Sequence, residues 1–156
     1  MAIETERKFL VKDTSFIHLS NRHEIIKQGY ISSVPERTVR IRIKNEKAYI
    51  TIKGISSQDG TQRFEWEKEI PACEAEDLFT LCEPGKIQKK RYYVPVGKHI
   101  FEVDIFEGEN EGLVLAEVEL QTPDEVYEKP DWLGQEVTGN KKFYNSALSQ
   151  EPFKSW

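Results

Sequence analysis

The sequence predicts an α+β protein that is mainly β: one antiparallel sheet, closed or nearly closed, with a few helices packed on it. Polar and apolar residues alternate with a period of two through most of the 156 residues, which is typical of strands that bury one face. Short turn sequences such as KNEK (44–47) and GENEG (108–112) favour antiparallel neighbours. The length is that of one domain, and we expect a single domain over residues 1–156.

Eight segments carry the alternating pattern. They span residues 3–11, 25–32, 37–44, 47–53, 62–70, 86–94, 99–106 and 113–120. The links between them are short, except for GISSQDGTQ (54–62), which we expect to be a flexible loop.

Four segments between or after these strands predict helices. They are DTSFIHLSN with Asp13 as the cap, residues 71–83 before a stop at Pro84-Gly85, TPDEVYEK with a capping box of Thr122 and Glu125, and a last helix around 139–149. Cys73 and Cys82 are nine positions apart in the second of these helices, roughly 13 Å along its axis. That separation is too long for a disulfide, so we expect two buried thiols.

Composition excludes several classes of function. A net charge of −5 with 31% charged residues argues against general nucleic-acid binding. The chain has no apolar run near 18 residues and no signal-peptide core, so we expect a cytoplasmic protein without a membrane span. The three histidines are scattered without metal-ligand spacing, which argues against a zinc site.

Charged residues concentrate on one face of the predicted strands. In the first strand, Glu4, Glu6 and Lys8 project to one side and Arg7 to the other. The same parity collects these further charges on one face: Arg40, Arg42, Lys44, Lys53, Arg63, Glu65, Glu67, Glu69, Lys89, Arg91, Glu102, Asp104, Glu117 and Glu119. Acids and bases segregate by strand. Like charges about 7 Å apart gain nothing from each other, so a plain solvent face usually mixes the two signs.

A solvent-exposed face remains the alternative for any single strand. For the set, converging carboxylates match the all-oxygen ligands that Mg²⁺ or Mn²⁺ prefers, and clustered Arg and Lys match phosphate oxygens. The combination predicts a metal-bound polyphosphate as the ligand. If the sheet closes with this face inward, its lumen becomes a charged tunnel. No Walker A motif is present, so side chains would hold the phosphates.

The ordered motifs resemble the CYTH superfamily, the triphosphate tunnel metalloenzymes. The resemblance rests on IETERKF (3–9), VRIR (39–42), TIK (51–53), RFEWE (63–67), KKRY (89–92), FEVDIF (101–106), LAEVEL (115–120) and WLGQEVTGNKKFYNSAL (132–148). It implies a closed eight-stranded antiparallel β-barrel tunnel with peripheral helices and a C-terminal plug helix. It also implies a linear triphosphate as substrate and Mg²⁺ or Mn²⁺ as cofactor.

The resemblance implies a role for each charged position. Metal binding falls to Glu4, Glu6, Asp104, Glu117 and Glu119, with Asp104 and Glu102 either in a second tier or on a second metal. Catalysis falls to Glu4, Glu6, Lys8, Glu117 and Glu119. Substrate binding falls to Lys8, Arg40, Arg42, Lys53, Arg63, Lys89, Arg91 and Lys142, with Lys141 as an alternative to Lys142, and Glu65, Glu67 and Glu102 are further tunnel acids. Arg7 is excluded because it lies on the outer face.

Several activities share this scaffold. Resemblance to compact bacterial members favours metal-dependent hydrolysis of inorganic tripolyphosphate, or of nucleoside triphosphates, by attack of water on a terminal phosphorus. The alternatives are an adenylate cyclase, a thiamine triphosphatase, and a non-catalytic module that binds polyphosphate or nucleotide. The oligomeric state stays open, with a homodimer as one option.

Overall fold

The computed structural model describes residues 2–156 and contains nine strands. They are β1 (Ile3–Val11), β2 (Arg22–Ser32), β3 (Arg37–Lys44), β4 (Lys47–Gly54), β5 (Gln62–Ile70), β6 (Ile87–Val96), β7 (His99–Phe106), β8 (Val114–Glu119) and β9 (Leu133–Glu136). The α-helices are α1 (Phe16–Leu19), α2 (Ala72–Phe79) and α3 (Asn145–Gln150). Short 3₁₀ helices span Gly108–Asn110, Lys141–Phe143 and Phe153–Ser155.

Eight of the strands close into an antiparallel barrel. The hydrogen-bonded order is β5-β4-β3-β2-β6-β7-β8-β1, and a further pairing of β1 with β5 joins the two ends. That closing pair is short, with Ile3 opposite Phe64 and Thr5 opposite Gln62. The closed barrel confirms the predicted fold class, and closure removes the exposed strand edges that an open sheet would present.

The ninth strand was missed in the sequence. β9 has four residues and pairs with the last part of β1, placing Phe9 opposite Glu136 and Val11 opposite Leu133. It occupies the edge of β1 that β5 leaves after Thr5. So short a segment shows too little alternation to predict a strand.

The outer face of the barrel is apolar and covered in two places. Phe9, Val94, Phe101 and Val118 pack with α1 and with Trp132 from the segment before β9. Ile41 and Ala48 pack under α2. One face of each strand is therefore used for packing, and the opposite face is left to line the interior.

One end of the interior is filled by residues 138–150, here called the plug. Apolar residues close this end together with the 3₁₀ helix and α3 of the plug: Tyr30, Ile87, Phe106, Leu113, Leu115, Val137, Phe143 and Leu148. The predicted plug helix at 139–149 is present in two pieces. Tyr144 between them is extended, with φ −69° and ψ 137°.

Three helix predictions were wrong in extent or existence. Residues 121–132 form no helix: the Glu125 carboxylate accepts from the Gln121 N–H and contacts the His99 ring, and Thr122 donates to Asp124, so the capping box does not form. The second helix ends at Phe79, because the N–H groups of residues 80–82 donate to carbonyls three residues back and the Glu83 N–H then donates to the Tyr30 carbonyl of β2.

The first helix has four residues with Ser15 as its N-cap, and Asp13 accepts from the Ser15 N–H ahead of it.

Cys73 is exposed and Cys82 half-buried, so the expectation of two buried thiols was wrong for Cys73. None of the helices within residues 2–156 is long and apolar enough to span a membrane.

Candidate active site

The barrel encloses a cavity of about 250 Å³ whose lining is mostly charged. Its acids are Glu4, Glu6, Glu65, Glu67, Glu102, Glu117 and Glu119, and its bases are Lys8, Arg40, Arg42, Lys44, Lys53, Arg63, Lys89 and Arg91. These side chains reach the cavity because they occupy alternate positions on seven strands of the closed barrel.

Of the cavity cations, Arg42 and Arg63 have the fewest anionic partners, whereas Arg40 Nη2 lies 3.5 Å from Glu67 Oε2. Among residues 2–156, no ion pair involves Arg42 or Arg63, and the buried Nε of Arg40 has no hydrogen-bond partner. Burial, reinforced by the charges of Arg40 and Arg91, lowers the pKa of Arg42. This part of the cavity has a surplus of positive charge, and an anion would relieve it.

Lys89 and Arg91 are held from behind by Asp104. The Asp104 carboxylate accepts from Arg91 Nε and Nη2 at 2.7 and 2.9 Å and lies 2.8 Å from Lys89 Nζ. Burial, aided by Arg91 and Arg42, lowers the pKa of Lys89 to about 7, although Asp104 opposes the shift. Arg91 Nη1 also donates to Glu102 Oε2 at 3.0 Å, so Asp104 fixes the geometry of two cations and is not the only acid paired with Arg91.

Glu4, Glu65 and Lys53 form a second group. Lys53 Nζ lies 2.9 Å from Glu4 Oε1 and 3.4 Å from Glu65 Oε2. Burial acts to raise the pKa of Glu4, but the charge of Lys53 and hydrogen bonds from Glu65 and Lys53 bring it down to about 2. Burial and the hydrogen bond with Glu4 raise the pKa of Glu65 to about 7. Glu65 therefore holds a proton beside an ionised Glu4.

Glu6 and Glu117 form a third group. Burial, together with the charges of Glu117 and Glu4, raises the pKa of Glu6 well above its usual range. Burial also acts on Glu117, but Lys8, whose Nζ lies 3.6 Å away, and a hydrogen bond from Glu6 lower its pKa. The opposite pKa shifts favour a proton on Glu6 and an ionised Glu117, as expected of two crowded acids of which only one lies next to a cation.

The cavity therefore contains two groups of side chains whose charge is not balanced by a neighbour. Arginines without carboxylate partners lie on β3 and β5, and crowded carboxyls lie on β1 and β8. An anion would balance the arginines, and a divalent cation would balance the carboxyls. A phosphate chain with a bound cation carries both.

The family comparison agrees with this chemistry. The CYTH domain matches residues 2–152, nearly the whole chain. The chain belongs to the CYTH family. The resemblance inferred from the ordered motifs is thereby confirmed.

CYTH relatives with a named activity are similar over their full lengths. The inorganic triphosphatase of Acetivibrio thermocellus is 43% identical, covering 100% of this chain and 99% of the relative. The inorganic triphosphatase of Nitrosomonas europaea is 33% identical over 94% of this chain and 96% of the relative.

Solved structures share the fold. A crystal structure of an inorganic triphosphatase superposes with a TM-score of 0.66 at 30% identity, covering 94% of this chain and 97% of the other. A Hippeastrum protein first assigned as an adenylyl cyclase and described as having a dominant triphosphatase activity superposes with a TM-score of 0.59, covering 80% of this chain and 81% of the other. Its 14% identity shows likeness of fold alone.

Most residues predicted for the site line the CYTH cavity together. Glu4, Glu6, Lys8, Arg40, Arg42, Lys53, Arg63, Glu65, Glu67, Lys89, Arg91, Glu102, Glu117 and Glu119 all do so. Arg7 lies outside, where it pairs with Glu136 at 2.8 Å. The strand parity read from the sequence predicted both outcomes.

Two predicted site residues lie elsewhere. Asp104 is 2% exposed and does not line the cavity, because Lys89 and Arg91 occupy its oxygens. Of the two positions expected for Asp104, this one matches a second tier behind the cavity lining, and direct metal binding by Asp104 stays a prediction. Lys142 was expected to reach the terminal phosphate, but its ammonium lies 3.9 Å from the centre of the Trp156 ring. The exposed Lys141 also lies outside the lining, because the 3₁₀ helix turns both lysines away from the cavity.

The lining also includes residues that sequence reasoning missed. Tyr30 and Thr38 lie on the inward face of β2 and β3, and extending the strand parity to uncharged residues would have found them. Tyr144, Asn145 and Ser146 enter from the plug. Because the plug is a 3₁₀ turn followed by a short helix, its pattern has no fixed period that could indicate these positions.

The carboxyl groups fit a divalent cation by their chemistry. Glu4, Glu6, Glu117 and Glu119 offer only oxygen ligands, which suits Mg²⁺ or Mn²⁺, and the raised pKa of Glu6 beside Glu117 and Glu4 marks a place where positive charge is lacking. Within residues 2–156, no three acid, His or Cys side chains already have the spacing of a formed metal site. The residues present fit the ion as a donor set and not as a rigid cage.

Proposed function

We propose that this CYTH protein hydrolyses a linear triphosphate, inorganic tripolyphosphate in the first place, with Mg²⁺ or Mn²⁺ as cofactor. The observation that carries the proposal is that one cavity holds both Arg42 and Arg63, which have no carboxylate partners, and the crowded carboxyls of Glu4, Glu6, Glu117 and Glu119. The naming of relatives at 43% and 33% identity as inorganic triphosphatases supports it.

The basic residues bind and orient the phosphate chain. Arg42 is buried and Arg40 has an unpartnered Nε, so both gain hydrogen-bond acceptors when phosphate enters. Asp104 keeps Lys89 and Arg91 in place before substrate arrives, which lowers the reorganisation needed as charge develops in the transition state. In phosphoryl transfer, such positioning and charge stabilisation supply most of the catalysis.

The acids serve the other half of the reaction. A divalent ion, when bound, neutralises phosphate charge and acidifies a water molecule. Glu4, Glu6, Glu117 and Glu119 would hold it. Lys53 keeps Glu4 ionised, so Glu4 is ready as a ligand near neutral pH, whereas Glu6 must first release its proton.

The plug limits how a chain of phosphates lies in the barrel. Lys8 Nζ donates to the Phe143 carbonyl at 3.3 Å, and apolar residues fill the space behind it. A linear triphosphate therefore enters from the opposite mouth and places one terminal phosphate next to the plug.

A comparison of three substrates tests the proposal. Inorganic tripolyphosphate, ATP and thiamine triphosphate are each incubated with Mg²⁺ or Mn²⁺, and orthophosphate, pyrophosphate and cyclic AMP are separated. We expect the fastest turnover with tripolyphosphate, giving one orthophosphate and one pyrophosphate. Cyclic AMP with pyrophosphate as the products of ATP, together with intact tripolyphosphate, would show a cyclase. Tight binding without turnover under both metals would show a binding module.

A further inference from the structure

Asn145 is the plug residue that contacts the cation network of the cavity. Its Oδ1 accepts a hydrogen bond from Lys89 Nζ at 2.9 Å and a second from Gln28 Nε2 at 2.9 Å. Lys89 is 1% exposed and Gln28 is fully buried. The amide oxygen of Asn145 therefore binds two donors in a region from which water is largely excluded.

Gln28 extends this contact to an arginine. Its amide spans the space between the plug and β3: Nε2 donates to Asn145, and Oε1 accepts from Arg42 Nε at 2.9 Å. Because one amide group makes both bonds, its orientation ties the position of the Arg42 guanidinium to that of Asn145. Two of the most buried cations of the cavity, Lys89 and Arg42, are thus aligned by one residue of the plug.

The neutrality of Asn145 matters in this position. Lys89 Nζ lies between the Asp104 carboxylate at 2.8 Å and the Asn145 oxygen at 2.9 Å. A second carboxylate there would hold the ammonium equally well but would cancel the positive charge that attracts phosphate. An amide fixes the ammonium and leaves its charge available.

The other half of the Asn145 amide is free. Among residues 2–156 its Nδ2 takes part in no hydrogen bond, and Asn145 lines the cavity. The neighbouring Tyr144 is tied to the loop after β4, through its hydroxyl and Ser56 Oγ at 3.0 Å. This part of the plug is therefore anchored on both sides, with an amide donor available to a ligand in the cavity.

We propose that Asn145 is a positioning residue for the terminal phosphate at the closed end of the barrel. It sets Lys89 directly and Arg42 through Gln28. The inference rests on the proposed function for the identity of the ligand, and it assigns to Asn145 the place that Lys142 was expected to take.

The test uses the full-length protein and inorganic tripolyphosphate. Asn145→Asp is nearly isosteric and keeps an oxygen that accepts from Lys89 and Gln28, whereas Asn145→Ala removes the contact. Gln150→Ala is the matched control, because Gln150 lies on the same helix and its side chain bonds Glu83 on the outside. Tripolyphosphate binding is measured by calorimetry with a chelator present, and kcat and KM are measured with metal.

We expect Asn145→Asp to weaken tripolyphosphate binding by about a hundredfold and Asn145→Ala by about tenfold, with the loss in KM more than in kcat. The thermal midpoint of Asn145→Asp should match that of the wild type, and Gln150→Ala should bind normally. If Asn145 only anchors the plug, Asn145→Asp binds like the wild type, and the inference is overturned.

The two readouts separate this inference from the proposed function. A wild-type protein that binds but does not hydrolyse tripolyphosphate, with the expected loss in Asn145→Asp, overturns the proposed function and supports the role of Asn145. Normal hydrolysis by the wild type, with unchanged binding in both Asn145 variants, supports the proposed function and overturns the role of Asn145. A wild-type protein that does not bind tripolyphosphate overturns both.

Discussion

Glu6 and Glu117 are diagonal neighbours across the pairing of β1 with β8, and burial together with the charge of Glu117 raises the pKa of Glu6, which favours a proton on Glu6 beside an ionised Glu117. The arrangement exists because Glu6 and Lys8 of β1 lie opposite Glu119 and Glu117 of β8, which brings acids from both strands to one face. A divalent cation competes with that proton for the same oxygens. Metal binding and protonation are therefore linked at this pair.

The link predicts how the metal stabilises the protein. Mg²⁺ or Mn²⁺ added to metal-free protein should raise the thermal midpoint more at pH 8 than at pH 5.5, because binding must displace the proton held by Glu6. Differential scanning fluorimetry measures this directly. Glu6→Gln should abolish most of the shift, and Glu111→Gln, which changes an exposed acid outside the cavity, should retain it. An equal shift at both pH values in the wild type would contradict the link.

The raised pKa of Glu65 predicts that the free energy of unfolding of the metal-free protein depends on pH. That pKa is raised to about 7 in the folded protein, so the folded state holds a proton that the unfolded state releases. The stability gained is full below the unfolded pKa near 4.5 and is lost as the pH rises through 7. In urea titrations with a chelator, Glu65→Gln should lose less free energy of unfolding between pH 5 and 8 than the wild type, by about 1 kcal/mol. The same slope in both proteins would refute it.

We expect replacement of the buried Asp104 carboxylate to have a large effect on stability and on substrate binding. Asp104→Asn leaves Lys89 and Arg91 without their shared anion, and breaking a buried ion pair costs about 3–5 kcal/mol. Chemical denaturation should show that loss, and KM for tripolyphosphate should rise because the two cations are no longer held in place. Asp131→Asn, at an exposed position, is the control. A drop in metal affinity with unchanged stability would instead place Asp104 among the metal ligands.

The position of Gly60 indicates that the loop after β4 packs closely on the plug. A Cβ on Gly60 would lie 2.2 Å from Gly139 Cα, and the φ of Gly60 is +78°. Gly108 also has a positive φ, +64°, but a Cβ there would meet nothing within 4 Å. Gly108→Ala should cost about 1 kcal/mol of unfolding free energy for its backbone conformation alone, and Gly60→Ala about 2 kcal/mol more because backbones must separate. Equal losses in urea denaturation would show that the contact is unimportant.

The barrel and most of its lining were predictable because strand parity is a geometric rule. Once Glu4, Glu6 and Lys8 were placed on one face, the same rule put Arg42, Lys53 and Glu117 beside them, and it excluded Arg7. Closure of the sheet then decides that this charged face points into the barrel. Residues with regular spacing in long strands were therefore placed correctly from the sequence.

Where the structure departs from the expected positions, tertiary contacts decided what the local pattern could not. Asp104 has the right parity, but Lys89 and Arg91 reach it first. The capping box at Thr122 is lost because Glu125 finds other partners. Lys142 and Asn145 are three residues apart in a segment that changes from a 3₁₀ to an α-helix, so their directions could not be read from a single period.

Phosphate release from inorganic tripolyphosphate measures the proposed metal-dependent hydrolysis itself. The assay compares the wild type, Glu117→Gln and Glu111→Gln with Mg²⁺ and with Mn²⁺. We expect metal-dependent release by the wild type and by Glu111→Gln, and a rate at least about a hundredfold lower for Glu117→Gln, because the variant loses an anionic ligand beside Glu6. Full activity in Glu117→Gln, or equal release by the wild type with and without a chelator, would contradict this expectation.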